Sequence, residues 1–373
     1  MKIQLTLLFL MVSFAVFAQP KNYLLCGTYT HTESKGIYVY DFDTNTGTAN
    51  LVSTTFAKNP SYITPSADGK YVYAVLENAD TVGKYIGGGI ASYAFDANSG
   101  NLKSLNSKIS GGKHPCFIST DSKGKMIVVA NYSSGSMLAY TLFSNGTIDS
   151  LCFNDTFVGK GPVLERQHNA HMHAAVFSPD GKYVLAPDLG SDRLYVYKTN
   201  KEKNHLNFVS EYRANPGSGP RHLDFHPHKK IVYLVEELTA TITVLSFSYG
   251  QLMNIQRVEM LPNIEVSDKG AADIHVSPDG NFVYASIRGQ SNIIAIYAIH
   301  KKHGTLSFVA QQSTLGIKPR NFNFDPTGNF LLVANQESNE IVIFKIDHST
   351  GLLTDTGNRI KVPKPVCLKW ISK

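Results

Sequence analysis

One pattern recurs along this chain and limits what it can fold into. A short alternating strand leads into a tight turn, and a second, more continuously apolar strand returns from it. PSYITPSADGKYVYAVLEN from Pro60 has this form. So do PCFISTDSKGKMIVVANY from Pro115, HAAVFSPDGKYVLAPDLG from His173 and PRHLDFHPHKKIVYLVEEL from Pro220. ADIHVSPDGNFVYASIRG from Ala272 and PRNFNFDPTGNFLLVANQ from Pro319 complete the set. The turn falls at Gly69, Gly124, Gly181, Lys229, Gly280 and Gly328. A period of roughly 50 residues suits one four-stranded propeller blade. Behind each hairpin comes a β-branched and aromatic strand such as GIASYAFD, RLYVYKT or EIVIFKID, then a more polar one such as NLKSLNSKI.

Six such units are complete, and the two chain ends supply a seventh. YLLCGTYT, GIYVYDFD and ANLVSTTFA near the N-terminus read as second, third and fourth strands without a first. PKPVCLKWI at the C-terminus reads as a first strand without the rest. Pairing them closes the ring and removes two open sheet edges. The predicted fold is all-β, a seven-bladed β-propeller closed by pairing of the N- and C-terminal strands. Regular strand spacing alone would also admit a β-sandwich or two smaller barrels. The matching orphan strands favour the ring.

Met1 and Lys2 precede an apolar run from Ile3 to Phe17 that ends Ala-Val-Phe-Ala-Gln. One lysine, a short apolar core and small residues before the presumed cut describe a secretory signal peptide, residues 1–18, cleaved after Ala18. The run is shorter than a bilayer span. The expectation is an exported chain, periplasmic or secreted, with residues 19–373 as one propeller domain and no membrane span in the mature chain. The formal charge of +6 comes from scattered lysines without a basic block, which points to solubility and not to nucleic acid. Cys26, Cys116, Cys152 and Cys367 fit no zinc or CxxC spacing. Cys26 and Cys367 fall on neighbouring strands of the closing blade, where either a disulfide or two buried thiols would fit.

Superposing the repeats exposes equivalent positions. In a propeller the innermost strand starts at the face where the second strand ends, so both points look into one end of the central channel. Six residues before the turn proline, or its equivalent, stand Ser61, Cys116, His173, Arg221, Ala272 and Arg320, with Val366 from the C-terminal strand. Eight residues after the turn glycine, or its equivalent, stand Glu77, Tyr132, Leu189, Glu237, Arg288 and Gln336, with Tyr29 from the N-terminal strand. Charged side chains are seldom buried unpaired, so this gathering predicts a polar pocket at the channel mouth. Each residue also has a plainer role open to it. Arg221 and Glu237 could lock a blade as an ion pair, His173 could simply line the channel, and Arg288 and Arg320 could neutralise the carboxylates. Asp188 and Asp192 in DLGSD are expected to shape a turn. His171 is a candidate orienter beside His173. His222, His226 and His228 are expected away from the mouth or in the opposite turn.

NPSYITPSADGKYVYAVLEN, AHMH, DLGSDRLYVY, PGSGPRHLDFHPHKKIVYLVEEL, HVSPDGNFVYASIRG and PRNFNFDPTGNFLLVANQ together resemble the seven-bladed propeller lactonase family. That family contains the propeller type of 6-phosphogluconolactonase and the carboxy-muconate lactonizing enzymes. The resemblance spans essentially the whole mature chain. It implies a catalytic set of His173, Arg221, Glu237 and Arg288, the residues that the repeats place at the mouth. Glu77, His171, Arg320 and Gln336 are candidate substrate-binding residues. The chain departs from the family pattern at Glu236, Ile287 and Ala170, where asparagine, asparagine and proline are usual.

The implied chemistry is ester hydrolysis of a sugar-acid lactone, without a cofactor. Arg221 or Arg288 would stabilise the oxyanion, while another arginine holds a carboxylate or phosphate. Glu237 is the candidate base for water and His173 the acid for the leaving hydroxyl. There is no Gly-x-Ser-x-Gly elbow for a covalent serine route. No metal-ligand cluster stands out, although Glu77, Glu237 and His173 could in principle bind a cation. Two other classes stay open: an intramolecular lyase closing a carboxy-muconate, and a non-enzymatic exported propeller that binds a protein or glycan.

Overall fold

The computed structural model describes residues 21–82, 85–200, 202, 204–260 and 269–372. The leader expected at residues 1–18 lies outside them. Seven four-stranded antiparallel sheets are arranged as the blades of a propeller. The closing blade runs, from the axis outwards, Pro365–Ser372, Asn22–Thr28, Gly36–Asp43 and Thr48–Phe56. Its innermost strand is therefore the end of the chain and the other three are the beginning. The remaining blades start at Ile63, Pro115, Val176, Pro220, Ala271 and Pro319, each with its four strands in sequence order. The first of these six also carries a small two-stranded hairpin, Thr81–Val82 with Tyr85–Ile86.

Burial falls off along each blade. Second strands such as Met126–Asn131, Ile231–Glu236, Phe282–Ile287 and Phe330–Asn335 are buried at every position. Covered on both faces, they read as continuous apolar runs instead of alternating ones. Outermost strands such as Thr48–Phe56 are mostly exposed, which explains their polar sequence. A recurring tyrosine ties blade to blade. Tyr23, Tyr233 and Tyr284, each on a second strand, donate their hydroxyls to Ala97 O (3.2 Å), Gly304 O (2.9 Å) and Gly351 O (2.7 Å) in the next blade. Each such bond satisfies a hydroxyl that burial would otherwise strand.

The seal follows the predicted pairing, with Leu25 opposite Lys369 and Cys26 opposite Leu368. Its ladder slips at Gly27, where a Cβ would stand only 2.3 Å from Pro60 O, so no side chain fits. Cys26 and Cys367 are both free and buried. Offset by one residue, they face opposite sides of the sheet: Cys26 packs with Leu368 and Trp370, Cys367 with Ile63 and Ile371. The alternation of strand side chains therefore excludes the disulfide.

Candidate active site

The innermost strands do not run straight into the channel mouth. Four of them pair with their neighbour through a register break, between Pro115 and Phe117, Pro220 and His222, Ala271 and Ile274, and Pro319 and Asn321. The extra residues are Cys116, Arg221, Ala272 with Asp273, and Arg320. A bulge re-aims side chains out of strand alternation. In the blade that starts at Val176 the ladder is shorter still. Met172 makes a lone bridge to Asp188, and His173 N donates to Pro187 O at 3.0 Å. The level found by counting residues thus coincides with bulges on four of the innermost strands.

Glu237 is the centre of this ring. Its Oε1 accepts from Nη2 of Arg166 at 2.6 Å. Its Oε2 lies 2.9 Å from Nε of Arg221 and 3.1 Å from Nη2 of Arg288. The Arg221 Nε contact is an ion pair off the hydrogen-bond direction. Glu237 is 3% exposed and Arg221 1%. Burial alone would push the Glu237 carboxyl up, but Arg288, Arg221 and Arg166 outweigh it and pull the pKa down to about 2. Burial and the nearby Arg288 lower Arg221 to about 10, which leaves it charged at neutral pH. Backbone carbonyls hold the guanidiniums in place: Arg221 Nη1 donates to Ala272 O, and Arg288 Nε to Gly270 O at 3.0 Å.

Opposite stands a second group. Glu77 Oε2 accepts from Tyr29 Oη at 2.9 Å and from Ser61 Oγ. The Arg320 guanidinium lies 5.3 Å from the centre of the Tyr29 ring. The guanidiniums of Arg166, Arg221 and Arg288 thus share the single carboxylate of Glu237. Two positive charges remain in surplus, which suits an anionic ligand. Among the described residues, no group of three or more His, Cys, Asp or Glu could hold a metal ion.

His171 stacks on Tyr132, with ring centres 4.3 Å apart, and donates from Nδ1 to Tyr132 O at 3.0 Å. Tyr132 in turn lies edge-on to His173, so His171 buttresses the site through an aromatic ring. Gln336 donates from Nε2 to Glu337 Oε1 at 3.0 Å. Asp188 and Asp192 shape turns, as their sequence suggests. Asp188 accepts from the backbone N of His171 and Gly190, and Asp192 from that of Gly217 and Gly219.

Two features of the candidate site are not legible in the repeats. Arg166, its side chain 43% exposed, comes from the short helix Leu164–Gln167 in the connection between two blades. Among the described residues no other connection between blades carries a helix, so superposing repeats gives no signal. Gln167 anchors the segment through Leu189 O and Asp192. The second is His222. His226 and His228 do lie in the opposite turn, but His222 does not sit away from the site. Its ring is 5.2 Å from that of His173, and both line a small axial cavity with Ser61, Cys116, Arg221 and Arg320. Strand alternation would point His222 away from whatever Arg221 faces; the bulge removes that rule. His222 Nδ1 lies 2.7 Å from Asp273 Oδ1. Asp273 Oδ2 meets His275 Nε2 at 3.1 Å, and His275 Nδ1 is 3.8 Å from Asp224.

His275 yields a pH prediction. Burial would lower its pKa, but Asp273 and Asp224 raise it to about 9, above the 6.5 of the free side chain. The stabilisation it contributes is full below about pH 6.5 and is lost as pH rises through about 9. The melting temperature should therefore fall between about pH 7 and pH 10, and His275→Gln should flatten that slope. An unchanged slope in the variant would show that His275 is neutral throughout.

A buried, arginine-clamped glutamate at the mouth of a seven-bladed ring makes this the candidate active site of a β-propeller protein. The chain matches the family model "Lactonase, 7-bladed beta-propeller" over residues 23–370, and it belongs to that family. It is 37% identical to a 6-phosphogluconolactonase of Bacillus subtilis, over 92% of this chain and 97% of that one. To a 6-phosphogluconolactonase of Formosa agariphila it is 38% identical, over 88% and 94%. Among solved structures, the periplasmic gluconolactonase of Pseudomonas aeruginosa superposes with a TM-score of 0.87 at 33% identity, covering 94% and 99% of the two chains.

Proposed function

We propose that this protein hydrolyses a sugar-acid lactone, 6-phosphogluconolactone or a related aldonolactone, at the mouth of its central channel. The observation that carries the reading is the surplus of two positive charges around a buried, ionised Glu237. An anionic lactone entering this ring meets guanidiniums already oriented by backbone carbonyls. Arg166, the most exposed of those clamping Glu237, is placed to engage the substrate's own anion. Arg221 and Arg288 face the position where the carbonyl oxygen gains charge, and such preorganised donors each contribute about 3 kcal/mol to the transition state. Glu237, with both oxygens already engaged and its pKa near 2, is a poor proton acceptor at neutral pH. Its role is to gather the arginines. His173, kept neutral because burial and Arg221 depress its pKa, relays to the leaving ring oxygen the proton that the attacking water gives up.

The Cys116 thiol, 3.9 Å from His173 Nδ1, is pushed up by burial and so remains protonated, which argues against a thiolate nucleophile. We further propose export, supported by the leader pattern of residues 1–18. No helix among the described residues is long and apolar enough to cross a membrane. The test is incubation with gluconolactone, its 6-phosphate and a carboxy-muconate at neutral pH, corrected for spontaneous hydrolysis. Acceleration of a sugar-acid lactone is expected, the phosphorylated one fastest. Turnover of the muconate alone would make the protein a lyase, and no turnover at all a binding propeller.

A further inference from the structure

His222 follows Arg221 on the innermost strand Pro220–Phe225 and is 6% exposed. Its Nδ1 is engaged by the Asp273 carboxylate at 2.7 Å, which fixes the proton on that nitrogen. Nε2 is then a lone pair, and it is buried without a partner. A buried polar atom left unpaired in a native site calls for an occupant. The residue lines the axial cavity shared with His173, Arg221, Arg320 and Asn321, whose volume of ≈ 10 Å³ is about the room of one water. We infer that His222, held by Asp273, binds and deprotonates the water that attacks the substrate.

This role presupposes the lactone hydrolysis proposed above. The surroundings separate His222 from the other candidates. Glu237 spends both oxygens on arginines. His173, buried beside Arg221, His222 and Arg320, suits passing a proton on and not holding one. At His222 the imidazolium would be stabilised by Asp273, itself held by His275 Nε2 and Asn321 Nδ2. This is the arrangement by which a carboxylate fixes a histidine's tautomer and supports its charged form. Burial and Arg221 also keep His222 neutral at pH 7, its pKa lowered to about 4.

The step balances. Water gives one proton to Nε2 as its oxygen bonds the lactone carbonyl carbon, and the carbonyl π pair moves to the oxygen facing the guanidiniums. On collapse the ring C–O bond breaks and its electron pair goes to the ring oxygen. The proton on His222 returns to that oxygen by way of His173. The product is the open hydroxy acid, which releases its carboxyl proton to solvent.

The experiment uses the full chain and the fastest lactone found above. His222→Gln should lower kcat by about 100-fold or more, with KM changed by less than about threefold. His222→Asn, which keeps a donor towards Asp273 but lacks Nε2, should lose as much. Added imidazole should restore kcat to His222→Ala in proportion to its concentration, a rescue that a purely structural histidine would not show. Should all three variants unfold on melting, a high-resolution structure of the wild type decides: an ordered water within hydrogen-bond reach of Nε2 is expected, and a dry cavity overturns the role. Wild-type turnover with an unimpaired His222→Gln removes this role alone. Wild-type protein that accelerates no sugar-acid lactone removes the hydrolase reading and this role together.

Discussion

Glu237→Gln is expected to lower lactone turnover by at least about 100-fold and to reduce the melting temperature as well. The amide keeps the shape of the carboxylate but not its charge, so Arg166, Arg221 and Arg288 lose the anion that gathers them. Removing one partner from a buried ion network costs about 3–5 kcal/mol, because the charges left behind are unpaired and poorly solvated. Two roles for Glu237 give different signatures. A general base would lose kcat while KM and the melting temperature held. An anchor for the guanidiniums would lose kcat, raise KM and melt earlier, and this second pattern is the one expected. Retained wild-type turnover would remove Glu237 from the mechanism altogether.

Arg221→Met should lower kcat by about 100- to 1000-fold, the usual cost of one preorganised oxyanion donor. Methionine fills much of the arginine's volume, so the change removes charge more than packing. Ala272 O loses its donor, and the ion pair at Glu237 Oε2 drops to Arg288 alone. Arg221→Lys should not restore the rate, since an ammonium cannot span both Glu237 and Ala272 O as a planar fork does. Kinetics on the sugar-acid lactone would check both variants, and a kcat within twofold of wild type in Arg221→Met would clear Arg221 of any part in catalysis.

Much of the fold was legible before any coordinates. The hairpins at Pro60, Pro115, His173, Pro220, Ala272 and Pro319 mark six blades, and the orphan strands at the two ends mark the seventh. The candidate set was legible too, because superposed repeats place His173, Arg221, Glu237 and Arg288 at one level. Legibility ended where local structure departs from the repeat. Arg166 sits on a helical connection that no other blade shares among the described residues. His222 escapes the sequence pattern because strand alternation, which would turn it away from what Arg221 faces, fails where the strand bulges between Pro220 and His222. Gln336 occupies an equivalent position, yet its side chain bonds Glu337.

The amino-acid sequence by itself determined the seven-fold repeat, the closure of its ends and the end of the channel where polar residues collect. These follow from hydrophobic period and turn chemistry, which are written residue by residue. Only the tertiary structure decided what those residues do to one another. It set three guanidiniums on Glu237, fixed the His222 proton on the side of Asp273, and turned Cys26 and Cys367 to opposite faces of one sheet. Such outcomes depend on register, bulges and the approach of neighbouring blades, all set by packing between segments far apart in the chain.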